Sequence, residues 1–461
     1  MSLTRRQFHQ ALLGSAALLS LPRIASAEAT PALEARVARA QIAPPGYPDT
    51  EVWAYDGALP GPTLRVPQGE RLARRFVNAL PQPSSVHWHG IRIANAMDGV
   101  AGLTQEAVEP GAEFLYDFAL PDAGTYWYHP HNRSWEQMAR GLYGALIVEE
   151  AEGAPEVDLD EVLLIDDWRM TDTAEIAGGF GELHDWAHAG RIGNWITVNG
   201  DGAWTREVPS KTRMRLRLVN TANARIFELE SQGLSGWVVA LDGMPLETPE
   251  PLDGLTLAPA QRADLIVDVT AEDGGEALLL SLERDGGYAI ASFPVRGVAD
   301  SPERGAPTPL PPNPMAALGD LGTARRAELL MEGGAMGRMS GAMMDGRQVD
   351  MREMAAAGKV WAFNGMADMP ETPLIEAARG ETVRIAIAND TAWAHGMHLH
   401  GHHFRRVAED GSLGPWRDTL LMERGETAEI AFVADNPGDW LLHCHMLEHS
   451  AGGMMTWLRV T

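Results

Sequence analysis

The sequence predicts an all-β protein built as three antiparallel β-sandwich domains. Two observations carry that prediction. A diluted repeat runs from Pro67-Gln68-Gly69-Glu70 to Val77-Asn78, from Pro209-Ser210-Lys211-Thr212 to Val219-Asn220, and from Arg379-Gly380-Glu381-Thr382 to Ala388-Asn389. Each copy joins a turn to a strand ending in asparagine, and three copies mean three similar domains. Turn residues also recur along the whole chain, 48 glycines and 30 prolines, while long amphipathic helical periods are scarce.

In chain order, Thr4-Arg5-Arg6-Gln7-Phe8 precedes a short apolar run from Ala11 to Leu21, and Ala25-Ser26-Ala27 offers a small-residue cleavage site. That is the pattern of a twin-arginine export signal over residues 1–27, which places the mature protein in the periplasm. The run is too short for a stable spanning helix, and no later stretch approaches about 18 apolar residues, so no membrane insertion is expected. About 434 residues remain, enough for two to four domains; the repeat selects three, at 28–150, 151–300 and 320–461. In the second copy Met214, Leu216 and Leu218 alternate with Arg213, Arg215 and Arg217, which predicts a half-buried strand with one apolar face. His184 and His188 stand four apart in the same domain, but with no third histidine or cysteine beside them a surface helix or loop is expected. Ala299 to Pro314 holds six prolines and reads as an extended linker, taken as 301–319.

The last domain carries a methionine-rich insertion over 331–369. Met331, Met336, Met339, Met343, Met344, Met351 and Met354 fall within 24 residues rich in glycine and alanine, with Met366 and Met369 after them. Thioethers are soft ligands that prefer Cu(I). The segment shows no sustained apolar period for a core helix, so a mobile flap that gathers Cu(I) is expected rather than core filler.

The formal net charge is −26, and removing a signal that contains three arginines and no acid takes it to −29. Such a surface repels nucleic acid and anionic membranes; its plainest role is solubility. A single cysteine, Cys444, excludes an internal disulfide. A monomer is expected.

The chemistry is carried by histidine. Of 15 histidines, eight form four His-x-His pairs, His87/His89, His129/His131, His398/His400 and His443/His445. On a strand, residues i and i+2 share a face, so each pair offers two imidazoles to one side. Cys444 sits inside the last pair and points to the opposite face, with His449 five residues on and Met454 five beyond that. Thiolate, imidazole and thioether supply much of a blue-copper site, and the flanking histidines would hold a second centre a few covalent bonds away.

His87-Trp88-His89-Gly90, His129-Pro130-His131, His395-Gly396-Met397-His398-Leu399-His400-Gly401 and His443-Cys444-His445 with His449 and Met454 resemble the four motifs of the multicopper oxidases of the laccase and periplasmic cuprous-oxidase group. The resemblance spans nearly the whole mature chain. It implies cupredoxin-like Greek-key domains and four copper ions. One type 1 copper would take His395, Cys444, His449 and the weak axial Met454, and the type 2 copper His87 and His398. One type 3 copper would take His89, His129 and His445, and the other His131, His400 and His443. Electrons from the substrate would pass from the type 1 copper through Cys444 and His443 or His445 to the three-copper cluster, where four of them reduce O2 to two waters. Asp98 is similar to an acidic residue that delivers protons beside the type 2 copper. Asp418 is similar to one near the type 1 copper that binds the substrate ion or orients a phenol. The position after His449, often glutamate in cuprous oxidases, is Ser450; Glu448 is a poor substitute if it lies on a strand.

Three function classes follow. An oxidase of Cu(I) in copper tolerance is favoured by the methionine segment, a laccase-like oxidase of phenols or aromatic amines uses the same coppers, and a copper-free interaction protein would have lost ligands that this chain retains. The motif pairs in the first and last domains must meet at their interface, which leaves the middle domain as a spacer.

Overall fold

The computed structural model describes residues 30–300 and 304–461. The expected export signal lies outside the described residues. The chain folds into β-sheets stacked in pairs. The first third holds two four-stranded sheets, the middle a six- and a five-stranded sheet, and the last third a six- and a five-stranded sheet with a separate hairpin of Gly341–Met344 and Arg347–Asp350. These are three cupredoxin-like sandwiches, as the repeat predicts. Among the described residues no helix is long and apolar enough to cross a membrane.

The repeat has a physical cause. Its strands Arg71–Ala79, Arg213–Asn220 and Thr382–Asn389 each pair in parallel with the first strand of their own domain, Ala32–Ala40, Leu159–Trp168 and Arg325–Gly333. Each ends in a buried asparagine that ties the following loop. Asn78 Oδ1 accepts from the Leu80 N–H at 3.0 Å while its Nδ2 donates to the Val108 carbonyl. Asn220 does the same with the Ala222 N–H and the Leu257 carbonyl, and Asn389 with the Thr391 N–H and the Glu423 carbonyl. A side chain mimicking backbone in a tight turn is what asparagine supplies.

Alternation fills the sandwiches. In Thr382–Asn389, Val383, Ile385 and Ile387 are buried and their neighbours less so. Arg213–Asn220 departs from the expectation of a half-buried strand, because every residue in it is buried. Its arginines enter a layer between domains and are paired there: Arg215 with Asp264 at 2.7 Å and Glu150 at 2.8 Å, Arg217 with Asp160 at 2.7 Å and with the Thr125 hydroxyl of the first domain. Buried charges persist when paired and hydrogen-bonded. The proline-rich stretch lies along the first domain, where Asn313 and Ala123 exchange two 2.8 Å hydrogen bonds.

The methionine segment is not the expected flap. Met331 is an inward residue of the strand Arg325–Gly333 and fully buried. The hairpin and the helix Met351–Ala356 enclose a small core in which Met344 and Met354 pack with Ala342, Val349, Ala362 and Ala367. Met336 alone is widely exposed, at 75 %; Met339, Met343 and Met351 are half-buried.

Candidate metal centres

Strand His395–Leu399 pairs antiparallel with Gly438–Cys444, with Met397 opposite Cys444 and His398 opposite His443. Residues opposite one another share a face, so Cys444 shares the His395 side while His443 turns to the side of His398 and His400. Two pockets therefore lie on opposite faces of one sheet.

On the first face the chain turns through a short helix, Leu447–Ala451, which brings His449 back beside Cys444. The Met454 N–H donates to the His449 carbonyl and the Cys444 N–H to the Met454 carbonyl, fixing Met454, fully buried, next to both. Gly453 has φ +126°, and a side chain there would collide with the Trp361 carbonyl. Cys444 Sγ lies 3.6 Å from His395 Nδ1 and 3.9 Å from His449 Nδ1, and these two nitrogens are 3.0 Å apart. The outer nitrogens are occupied. His449 Nε2 donates to the His188 carbonyl at 2.6 Å, and His395 Nε2 meets the Thr391 hydroxyl at 2.8 Å. That hydroxyl is 2.7 Å from Asn389 Oδ1, where its own proton goes, so it accepts from His395. The network thus assigns both Nδ1 atoms as lone pairs facing each other.

Burial lowers the His395 imidazole well below its usual range and takes His449 to about 4. Burial pushes the Cys444 thiol up to about 12. Two unprotonated nitrogens converging beside a sulfur are placed for a cation that would displace the thiol proton. The Trp361 ring packs on both imidazoles, its centroid 4.6 Å from that of His449 and 5.2 Å from that of His395.

On the other face strand His87–His89 pairs with Gly124–His129, setting His87 opposite His129. The first-domain pairs meet those of the third domain here, and all eight imidazoles share one pocket. His87 Nδ1 donates to the Asp98 carbonyl at 2.8 Å and His398 Nδ1 to the Asp418 carbonyl at 2.9 Å. The Nε2 atoms of both are buried with no hydrogen-bond partner. His400 Nδ1 meets the Asp98 carboxylate at 2.9 Å and His443 Nδ1 the Cys444 carbonyl at 2.9 Å, which leaves their Nε2 atoms 3.1 Å apart. His131 completes a group with these two, its ligand nitrogen within 4.8 Å of theirs. His129 Nε2 lies 3.4 Å from His89 Nδ1 and 3.4 Å from His445 Nε2. Burial lowers His89, His129, His400, His443 and His445 well below the ordinary imidazole range, and His131 to about 3. Buried ring nitrogens at this density, three of them without a hydrogen-bond partner, fit metal ions.

Asp98 stands where the sequence suggested, fully buried between His87 and His400, at the end of the 3-10 turn Asn95–Met97. Asp418 does not. It is fully buried beneath the eight-histidine pocket, with Oδ1 3.4 Å from His89 Nε2 and the carboxylate bridged by Arg262 at 2.6 and 2.8 Å. It therefore cannot meet a substrate at the outer rim. Against the penalty of burial, Arg262 and His89 hold its carboxyl well below the usual range. Gly90 lies against this pair at φ +85°, and a methyl group there would overlap the Arg262 guanidinium and the Asp418 carboxylate. Ser450 Oγ is 3.2 Å from His443 Nδ1. Glu448 is on the helix, not a strand; it is buried, bonded to Asn223 at 3.0 Å, and raised by that burial. A cavity of about 250 Å³ bordered by Val100, Arg133 and Met369 reaches His131, His443 and Ser450.

The middle domain is more than a spacer. It supplies Arg262, whose Nε also donates to the Thr125 carbonyl of the first domain at 3.2 Å, and the His188 carbonyl on His449. Neither left a sequence signal, since Asp418 lies 156 residues from Arg262 and His449 lies 261 from His188. Thr391 did leave one, following the repeat's asparagine by two and preceding His395 by four.

Fold and pockets together define a copper-binding oxidoreductase. The multicopper oxidase family matches the chain over residues 36–153, 160–276 and 344–461, and the chain belongs to that family. It is 30% identical over 446 residues to the multicopper oxidase MmcO of Mycobacterium tuberculosis, covering 89% of this chain and 83% of that one. It is 27% identical to copper resistance protein A of Pseudomonas syringae pv. tomato, covering 88% of this chain and 89% of that one. Among solved structures, Lac15 from a marine microbial metagenome superposes with a TM-score of 0.77 at 42% identity, covering 94% of this chain and 100% of that one.

Proposed function

We propose that the protein is an exported, periplasmic, monomeric multicopper oxidase that takes electrons from Cu(I) and passes them to O2. The observation that carries the choice of Cu(I) is closure at the small pocket. His395 and His449 are both fully buried, and their outer nitrogens are capped by Thr391 and by the His188 carbonyl. A phenol needs a bare imidazole edge. A metal ion outside the wall needs only a bonded path to the ring. The half-buried thioethers Met343 on the hairpin, Met351 on the helix and Met339 in the loop just before the hairpin are soft ligands.

In this reading His395, Cys444, His449 and Met454 hold the type 1 copper, His87 and His398 the type 2 copper, His89, His129 and His445 one type 3 copper, and His131, His400 and His443 the other. These ions, when bound, supply one-electron transfer and the four-electron reduction of O2 to two waters. The chain's own part is orientation and protons. Carbonyls and carboxylates fix each ring's tautomer. Asp98 Oδ1, buried and without a hydrogen-bond partner, is the acceptor at which a proton is held. Ser450 extends a path from the cavity to His443 without providing a proton store. Asp418 keeps His89 and His398 in place and takes no part at the substrate side.

A laccase-like oxidation of phenols or aromatic amines is the second reading, supported by the burial of Met331, Met344 and Met354, which removes three thioethers from any collecting surface. Oxygen uptake with Cu(I) and with a phenol separates the two. Replacing Met339, Met343 and Met351 by leucine, which spares the strand that holds Met331, should lower the ratio of Cu(I) to phenol turnover by about tenfold, or ~1.4 kcal/mol. An unmoved ratio, with the phenol the better substrate, favours the laccase-like reading.

A further inference from the structure

The closed wall over His449 has an outer side. The carbonyl that caps His449 belongs to His188, which ends the short helix Leu183–Ala187 of the middle domain. His184, exposed on the first turn of that helix, stacks on His188 with ring centroids 4.2 Å apart and planes 10° apart. His188 Nδ1 donates to the His184 carbonyl at 2.9 Å, which leaves His188 Nε2 as a lone pair. Alongside, the Ala335 N–H donates to the Ala187 carbonyl at 2.7 Å, so the next residue, Met336, stands beside the same helix end. Met336 is 75% exposed, and its φ of +63° is a left-handed conformation that side-chain-bearing residues rarely adopt. Met336 thus offers an exposed thioether, in a left-handed turn, at the helix end that carries the exposed His184 and the half-buried His188.

We propose that His184, His188 and Met336 form the docking site at which the substrate Cu(I) is held, an inference that rests on the Cu(I) reading above. A thioether suits soft Cu(I), and imidazole is a general copper ligand. The path inward is short: from the His188 ring through its own Cβ, Cα and carbonyl, across one hydrogen bond, to His449. A Cu(I) ion held there would give up one electron along that path to the centre that His395, Cys444 and His449 would hold, and would depart as Cu(II), which prefers harder ligands than a thioether. Four such electrons and four protons convert one O2 to two waters.

The test uses the copper-loaded enzyme and Ag(I), a redox-inert stand-in for Cu(I). Equilibrium dialysis should show an Ag(I) site that weakens at least tenfold in His184→Ala and in Met336→Leu, while the blue absorption and the resident copper content stay as in the parent. The KM for Cu(I) should rise by a similar factor in both variants. His188→Ala, which keeps the carbonyl, should weaken Ag(I) without shifting the blue band. Unchanged Ag(I) affinity and Cu(I) KM in all three variants would overturn the site while leaving the Cu(I) reading standing. Weakened Ag(I) binding in an enzyme that never turns over Cu(I) would overturn both, since the site would then bind metal without serving oxidation.

Discussion

The two metal pockets lie back to back on one sheet, yet they are assembled on different plans. The small one takes its candidate ligands from the third domain alone, residues 395–454, and among the described residues its imidazoles are held by the Thr391 hydroxyl and by one carbonyl of the middle domain, with no carboxylate bonded to them. The large one is shared by the first and third domains, holds two buried carboxylates, and is braced by Arg262 from the second. Under the proposed function the difference matches the traffic each would carry. A site that passes single electrons benefits from fixed, uncharged surroundings, whereas one that consumes protons with its electrons needs groups that hold charge and hydrogen.

Three experiments sharpen or break that contrast. The largest effect is expected from Cys444→Ser, which should abolish the blue absorption and substrate oxidation while the eight-histidine pocket still takes up copper, measured by metal analysis and spectroscopy. Loss of copper from both pockets would show that they do not load independently. Next, Arg262→Met strands the Asp418 carboxylate in a dry interface. Breaking a buried pair from one side costs about 3–5 kcal/mol, so urea unfolding should move by that order and copper should leave the large pocket first. Equal loss from both would mean that Arg262 supports the fold rather than the pocket.

The smallest effect concerns pH in the metal-free protein. Burial depresses His131 to about 3 and His449 to about 4, against about 6.5 in the unfolded chain. The unfolded state then binds more protons, so this contribution is complete above pH 6.5 and is lost as pH falls towards 4 and 3. Seven depressed imidazoles line the large pocket and two the small one. Acid sensitivity of the empty protein should therefore be dominated by the large pocket, and copper should suppress it; a flat urea midpoint between pH 7 and 5 would contradict this.

The pockets were largely legible in the sequence because metal ligands obey strand geometry. His-x-His puts two rings on one face, and an intervening cysteine must look the other way; both relations hold in the structure. The threefold asparagine repeat was legible for a similar reason, since a local turn needs a local side chain. What depends on distant partners was not. Nothing near Asp418 announces Arg262, 156 positions earlier, so the family resemblance alone suggested a place near the type 1 copper. The row of arginines in Arg213–Asn220 looked solvated because its carboxylate partners stand on other strands. Met331 was misread although the signal was present, since Leu329 and Met331 alternate with exposed or half-buried neighbours as a strand does.

The lone cysteine has one more consequence. Thiols react with oxidants and disulfides as thiolates, and Cys444 is buried with its proton held to about pH 12. With the site empty, the buried, protonated thiol is a poor nucleophile, so oxidation of Cys444 towards sulfenic acid is expected to be slow, and the sequence holds no second cysteine to trap it. Only a metal ion arriving between His395 and His449 displaces that proton. The same dry wall that suits the finished centre also preserves it beforehand, so that the protein's supply of usable sites is set by copper and not by the age of the chain.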